Sequence, residues 1–331
     1  MKDGHIVALG RVCIDEYYQL DAWPKMGEKK FVLPLNRQVG GMIANAASVL
    51  AGYGVHAYLL DELPDTDSTD QIRKDLKRYH IDDSFVQIIH NISDTKCLIF
   101  LEHGERTIFV TDVTRPKIKI SRELWKVLDD AAYLYTTIPD LMELECWESV
   151  ITRLQANGVK IAIDVEANSF DTPAQLEQAM KFCTTVFFNG AALEKYAGSR
   201  SEEDALVHLM TLGPEHLVVT KGVQGCIAAN QTQTLHMPAY RVEAVDTTGA
   251  GDTFNSTFLY CIMRGYDLTS CARFSSAAAA RAITIMGPRA GVAPFNEVLS
   301  FAERTKMYGN PANIGASPVS YTHLRAHETL S

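Results

Sequence analysis

Eight consecutive small and polar residues, Asp246-Thr247-Thr248-Gly249-Ala250-Gly251-Asp252-Thr253, are where this sequence most directly offers chemistry. They follow a β-rich stretch, Leu235 to Val245, and open an apolar helical run through Phe258, Leu259 and Ile262. Gly249 and Gly251, with Ala250 between them, leave backbone N–H groups uncovered where that helix begins. The first N–H groups of a helix have no partner within it and carry partial positive charge, so an anion can settle there. In a glycine-containing turn they would cup the charge developing on a phosphoryl group. Asp252, in the first turn, is placed to take a proton from a hydroxyl attacking that group. An aspartate at a helix start more commonly serves as a cap. The length of the unbroken run favours the catalytic reading.

The elements that must position these residues read as an α/β protein. His5 to Gly10 is a short buried strand, and Arg11 to Arg37 alternates polar and apolar residues like exposed hairpin strands. Met42 to Tyr53 predicts a close-packing helix, His56 to Asp61 a strand, and Asp65 to His80 a solvated helix. Phe85 to Ile89 and Lys96 to Val110 read as strands, the latter folding back across His103-Gly104-Glu105. Beyond Leu124, apolar strands at 133–138, 160–165, 185–188 and 217–220 alternate with helices near 141–157, 174–182 and 201–212. Leu268 to Met286 reads as a helix rich in small residues. Strands interleaved with helices at this spacing predict a doubly wound, mainly parallel sheet flanked by helices. With no internal repeat or long linker, one domain over 1–310 with a small β-sheet lid is expected.

Composition narrows the partners. A net charge of −9 argues against nucleic acid or an anionic membrane surface as the main partner. No apolar run reaches the length of a membrane span, and Met1 to His5 opens no secretory signal, so a cytoplasmic protein is expected. Seven scattered cysteines without a C-x-x-C pair suit a reducing compartment and build neither a disulfide framework nor a zinc site.

The run from Asp246 to Thr253 resembles the C-terminal motif of the ribokinase/PfkB family of sugar and nucleoside kinases. A second stretch, Val39-Gly40-Gly41-Met42-Ile43-Ala44-Asn45, is similar to that family's N-terminal Gly-Gly motif. Paired glycines allow a sugar to approach the backbone, and Asn45 offers both donors and an acceptor. Met42 and Ile43 are bulkier than the lysine or small residues common there, which argues against a ribose-specific site. The resemblance places Asp15 where the family holds sugar hydroxyls, and a bidentate acceptor suits a vicinal diol. It also implies that segments 11–37 and 96–112 form the lid, pairing with a second lid in a homodimer that covers their edges. Arg106, with Lys29, Lys30 and Arg37, brings positive charge near that lid and could meet an anionic substituent of the sugar. The Arg289-Ala290-Gly291 turn is slightly similar to the sulfosugar kinases of the family.

On the nucleotide side, Thr220-Lys221-Gly222-Val223-Gln224-Gly225 is similar to the family's strand end and Gly-rich loop along ATP, and no Walker A loop occurs. Taken alone, Gly222 and Gly225 would make a plain hairpin turn. Asn189 stands where the family carries Asn-x-x-Glu near Mg2+ and the phosphates, but the fourth position here is Ala192 and the next acidic residue is Glu194. Magnesium keeps much of its water shell, so ATP and water can hold it. The resemblance further implies a K+ site to which Asp246 and Thr248 correspond. Together these imply an ATP-dependent sugar kinase with Asp252 as base and Gly249, Ala250 and Gly251 as anion hole. A nucleoside kinase, with Tyr17, Tyr18 and Phe31 walling a base, and a non-catalytic binding sensor remain alternatives. Residues 316–331 resemble translated adaptor DNA and are expected to be a non-native tail.

Overall fold

Alternation within the first strand divides the molecule into layers. In the computed structural model, which describes residues 4–103, 105–111 and 114–309, β1 (Ile6–Leu9) gives Val7 and Leu9 to one apolar cluster and Ile6 and Ala8 to another. The chain continues through β2 (Cys13–Gln19), β3 (Leu33–Gly40), α1 (Met42–Gly52), β4 (Ala57–Leu60), β5 (Glu62–Pro64) and α2 (Asp67–Arg78). Next come β6 (Gln87–Ile89), β7 (Lys96–Glu102), β8 (Glu105–Val110), α3 (Arg122–Asp130), β9 (Tyr133–Thr137), α4 (Ile138–Met142) and α5 (Trp147–Ala156). β10 (Lys160–Val165), α6 (Pro173–Met180), β11 (Thr185–Asn189), α7 (Gly190–Ala197), α8 (Glu202–Thr211) and β12 (His216–Thr220) repeat the alternation. The chain closes with β13 (Cys226–Asn230), β14 (Thr234–Met237), α9 (Ala250–Met263), α10 (Leu268–Ala282) and α11 (Phe295–Arg304).

Eight strands form the main sheet in the order β14-β13-β12-β11-β10-β9-β1-β4. Its strands from β12 to β4 run parallel, and β13 and β14 complete one edge antiparallel. One face packs Leu128, Leu154, Leu176 and Leu209 of the helices between β8 and β12. The opposite face receives Leu50 of α1, Ile72 of α2 and Phe258 and Leu259 of α9. The Phe258 ring meets Phe187 of β11 edge-on, with centroids 5.9 Å apart. Burying one such side chain contributes roughly 1.5–3 kcal/mol, which fixes α9, and with it Asp252, against the sheet.

A separate four-stranded sheet has the order β3-β2-β7-β8. Here β2 pairs antiparallel with β3 and parallel with β7, and β7 and β8 form the expected hairpin. This is the small lid sheet.

Several boundaries differ from expectation. The β-rich reading of 235–245 holds only to Met237, because Pro238 has no N–H for the ladder. The single helix near 141–157 is two, broken where Cys146 adopts a left-handed φ of 55°. The helix from Leu268 ends at Ala282, before the β-branched run Ile283-Thr284-Ile285 and Gly287. The expected strand over 85–89 is confined to 87–89, pairing with β5 in a two-stranded sheet. The first lid segment runs to Gly40, beyond the expected 37. Gly104 of the expected turn, the lid end at 112 and the tail at 316–331 lie outside the described residues.

Candidate active site

The approach to α9 is built from backbone constraints. Both Asp246 carboxylate oxygens are engaged, one accepting from the Thr248 N–H and the other from the Gly287 N–H, each at 2.9 Å. Gly249 takes a left-handed φ of 75°, and a Cβ there would lie 2.0 Å from the Pro288 carbonyl oxygen. Only glycine satisfies both the conformation and the contact. The Ala250 N–H closes a turn onto Thr247 at 3.3 Å, and the first helical bond runs from the Thr253 N–H to the Gly249 carbonyl at 2.9 Å. No side chain caps this helix. Gly251 is exposed, and a Cβ added to it would meet nothing within 4 Å. The uncapped N-terminus therefore opens to an incoming anion.

Asp252 follows in the first turn, where Asn45 of α1 donates Nδ2–H to its carboxylate at 2.8 Å. Burial pushes the Asp252 carboxyl up to about 8; the Asn45 hydrogen bond opposes this, and the negative charges of Asp164, Glu166 and Asp15 add to it. The residue is half-buried over its whole surface, so it is the carboxyl group within this acidic neighbourhood that loses its water. Asp164, at the end of β10, is likewise pushed to about 7, chiefly by burial. It accepts hydrogen bonds from Asn255 Nδ2 at 2.7 Å and the Tyr135 hydroxyl at 3.2 Å.

Asp15 reaches the same neighbourhood from the lid. It lies on β2 opposite Gln38, and a Cβ on Gly40 would sit 2.2 Å from its carboxylate. At Gly41, with φ 107°, a Cβ would come 2.4 Å from the Arg11 carbonyl. The glycine pair thus lets the Asp15 carboxylate lie against the β3 backbone as that strand turns into α1. Burial raises the Asp15 carboxyl, while hydrogen bonds from Cys13 and Cys97 and the charge of Arg289 hold it down. Between lid and motif lies a cavity of about 570 Å³, lined by Tyr17, Gln38, Arg106, Asp246, Thr248 and Met286 among others. Arg106 of β8 donates to the Thr248 hydroxyl at 2.9 Å, tying the lid to the motif loop across 142 residues of sequence.

A second cavity, about 650 Å³, opens where β11 and β12 end. Asn189, Thr220, Lys221 and Gly222 all line it, as does Glu194. Asn189 caps α7 by accepting from the Ala192 N–H at 2.8 Å, and the Ala192 side chain is buried in the core. Glu194, by contrast, is exposed. The Lys221 ammonium pairs with Glu202 at 2.7 Å. Gly225 is not among the lining residues: its φ is 90°, and a Cβ would come 1.9 Å from the Met237 carbonyl.

The structure adds residues that the sequence reading did not place. Asn255, one helical turn beyond Asp252 and so on the same face, was open to discovery from i, i+3 spacing. Tyr135 and Gly287 carried no such signal. Arg289, offered by the sequence only within a turn slightly similar to sulfosugar kinases, is buried, donates to Asn45 and pairs with Asp75, contacts its local sequence does not announce.

The architecture is that of the ribokinase fold. An Arabidopsis thaliana ribokinase complexed with ribose and ATP superposes with a TM-score of 0.79 at 21% identity, over 91% of this chain and 99% of that one. The nucleoside kinase of Methanocaldococcus jannaschii gives 0.73 at 17% identity, over 91% and 98%. The family profile described as pfkB family carbohydrate kinase matches residues 4–295, and the chain belongs to that family. The ribokinase of Bacillus subtilis (strain 168) is 24% identical over 302 residues, 89% of this chain and 98% of that protein. The deoxyribokinase of Salmonella typhi is 25% identical over 309 residues, 90% and 99%. Its membership makes this chain a kinase of the carbohydrate and nucleoside class. Among the described residues, no helix is long and apolar enough to cross a membrane.

Proposed function

We propose that the protein transfers the γ-phosphoryl group of ATP to a hydroxyl of a small carbohydrate. The observation that carries this reading is the Asn45–Asp252 hydrogen bond, which holds a carboxylate in the first turn of an uncapped helix. In this reading Asp15, Gly40, Gly41 and Asn45 hold the sugar. Asp252 takes the proton of the attacking hydroxyl, the new O–P bond forms, and ADP leaves with the electrons of the broken P–O bond. The N–H groups around Gly249, Ala250 and Gly251 stabilise the charge on the phosphoryl oxygens in transit.

ATP would lie along the second cavity, against Asn189, Thr220, Lys221 and Gly222, with Gly225 shaping the loop. Magnesium fits the hard oxygen donors of Asn189 and Glu194 there and supplies charge neutralisation when bound with ATP. A K+ beside the anion hole would draw on Asp246 and Thr248. Arg106 lines the cavity between lid and motif, whose lining does not include Asp15, Gly40, Gly41, Asn45 or Asp252, and would meet an anionic substituent of a sugar that extends into it.

A sugar is favoured over a nucleoside because the aromatic wall is incomplete. Tyr17 lines the cavity between lid and motif, but Tyr18 stacks on Phe100 at 5.5 Å and Phe31 is 90% exposed. Gln19, Asn36 and Gln38 offer amides to hydroxyl groups in a lining they share with Leu35, Leu101, Val245 and Met286. Exposed Leu33, Leu35, Phe109 and Val110 on the lid strands support a homodimer that pairs lids. The test is ADP release from Mg-ATP with neutral sugars, anionic sugars and nucleosides, each with and without K+. Turnover on a carbohydrate is expected; turnover on nucleosides alone, or binding of ATP with silence across the panel, would overturn the reading.

A further inference from the structure

The turn after α10 places Gly287, Pro288 and Arg289 in succession against the catalytic motif. Gly287 donates its N–H to Asp246, and the Pro288 carbonyl occupies the space a Cβ on Gly249 would need. Arg289 reaches further. It is 5% exposed, pairs through Nη1 with Asp75 of α2, and lies 5.2 Å from the centre of the Tyr79 ring. Its Nε–H is directed elsewhere, to Asn45 Oδ1 at 3.2 Å.

We infer that Arg289 is a positioning residue: by donating to Asn45 Oδ1, it fixes the amide so that Nδ2 faces Asp252. This rests on the reading of Asp252 as the base. A side-chain amide set between a guanidinium and a carboxylate has one orientation that satisfies both neighbours. The flipped amide would aim N–H at N–H and lone pair at carboxylate. Without the guanidinium, only the Asp252 end distinguishes the two orientations, and a protonated Asp252 can donate to the flipped amide oxygen as readily, so the carboxylate loses its donor part of the time.

The consequence falls on the base. Asn45 works against burial and against the charges of Asp164, Glu166 and Asp15, which together favour the protonated form of Asp252. The Tyr135 phenol also faces this group, and Arg106 acts on Glu166. Around Arg289 itself stand Asp75, Asp15, Cys13 and Tyr79. Burial lowers Arg289 to about 10, so it stays cationic at neutral pH. A purely structural role would be spent in the Asp75 pair that ties this turn to α2. A positioning role requires the Asn45 bond, and the two can be separated.

The experiment is a carboxyl 13C NMR titration of the full-length protein, with the Asp252 signal assigned by its loss in Asp252→Asn. It compares wild type, Asp75→Asn, Arg289→Met and the double variant Asp75→Asn/Arg289→Met, alongside pH profiles of kcat/KM. The double variant removes Arg289 together with its Asp75 partner and decides the matter if Arg289→Met does not fold. In both Arg289 variants Asp252 is expected to titrate at higher pH, with kcat/KM at pH 6 about tenfold lower. Asp75→Asn, which keeps the Asn45 bond, leaves both readouts in place. An unmoved Asp252 titration in the Arg289 variants, or an equal shift in Asp75→Asn, overturns the inference. Absence of turnover in wild type would instead fell the kinase reading, and the NMR titration still decides the role of Arg289.

Discussion

The start of α9 and the loop after β12 each carry two glycines, and at each the two serve different ends. Gly249 and Gly225 have positive φ and press against a carbonyl oxygen, of Pro288 and Met237 respectively. Gly222 also has a positive φ, 54°, but both it and Gly251 meet nothing within 4 Å where a Cβ would be. The surroundings differ sharply. Near α9 the neighbours are half-buried or buried carboxylates held by residues from distant parts of the chain. After β12 the neighbours run from half-buried (Asn189, Thr220, Lys221) to exposed (Gly222, Glu194), and the polar contacts are a helix cap and an ion pair near the surface. On the proposed function, the acceptor end is thus assembled before any ligand arrives, whereas the proposed nucleotide end is an open shelf. Perturbations should be severe at the first and mild at the second.

Replacing the proposed base should give the largest effect. Asp252→Asn is expected to lower kcat by roughly 10²–10⁴-fold, the usual worth of a general base. It should also make the fold less sensitive to alkaline pH. Native Asp252 binds its proton more tightly than the unfolded chain, with about 8 against 3.8. The stability it contributes is therefore full below about 3.8 and is lost as pH rises through about 8. Asp164, at about 7, acts in the same direction. Thermal melts at pH 6 and pH 9 check this: the loss on going to pH 9 should be smaller in Asp252→Asn than in wild type. Near-normal turnover in that variant would remove the contrast between the two ends.

The two motif glycines separate shape from access. Gly249→Ala combines a left-handed backbone with a collision against a carbonyl, and should cost roughly 2–5 kcal/mol of stability together with activity. Gly251→Ala should leave the denaturation midpoint unchanged. Its methyl group would stand where phosphoryl oxygens approach, and loss of one such donor costs about 10²-fold in kcat. Urea melts paired with kinase assays distinguish the cases. If Gly251→Ala is fully active, the open N-terminus of α9 is not the anion site.

The pH profile gives a smaller effect without any substitution. The base must be ionised to accept a proton, and kcat/KM reports groups of the free enzyme. With Asp252 pushed to about 8, kcat/KM should rise about tenfold per pH unit below that value and level off above it. A flat profile from pH 6 to 9 would mean that Asp252 is already ionised or is not the base.

How much of this was legible in the sequence depends on how locally it is encoded. The proposed catalytic motif is contiguous, so Asp246 to Thr253 stood out directly, and Met42 to Tyr53 announced by composition the helix that runs to Gly52. The parallel core was visible in runs such as Ile161-Ala162-Ile163, where neighbouring residues serve opposite faces. Partners across the fold were not visible. Asn45 meets Asp252 across 207 residues and Arg289 across 244, and periodicity reports which face a residue occupies, never what it touches. Gly225 shows a subtler limit. The glycine was evident, but whether it served a ligand or the Met237 carbonyl depended on how closely β14 approaches. Cys146 is harder still, since nothing in its type forecasts the left-handed turn that divides α4 from α5.

The mildest expected change lies on the open shelf. The Lys221 side chain is 26% exposed and that of its partner Glu202 is 43% exposed, so their pair should contribute at most about 1 kcal/mol to the fold. Lys221→Ala leaves the backbone bond from its N–H to the Gly225 carbonyl, at 2.8 Å, untouched, so the loop keeps its shape. If Lys221 meets the nucleotide, it contacts ATP equally before and during transfer. Removing it should then raise KM for ATP about three- to tenfold while kcat stays near wild type, as expected for lost uniform binding. Glu202→Ala separates the two roles: freeing the lysine from its partner should leave KM for ATP unchanged or lower it. A fall in kcat matching that of Gly251→Ala would show instead that Lys221 acts on the phosphoryl group in transit, and the shelf would then belong to the catalytic end.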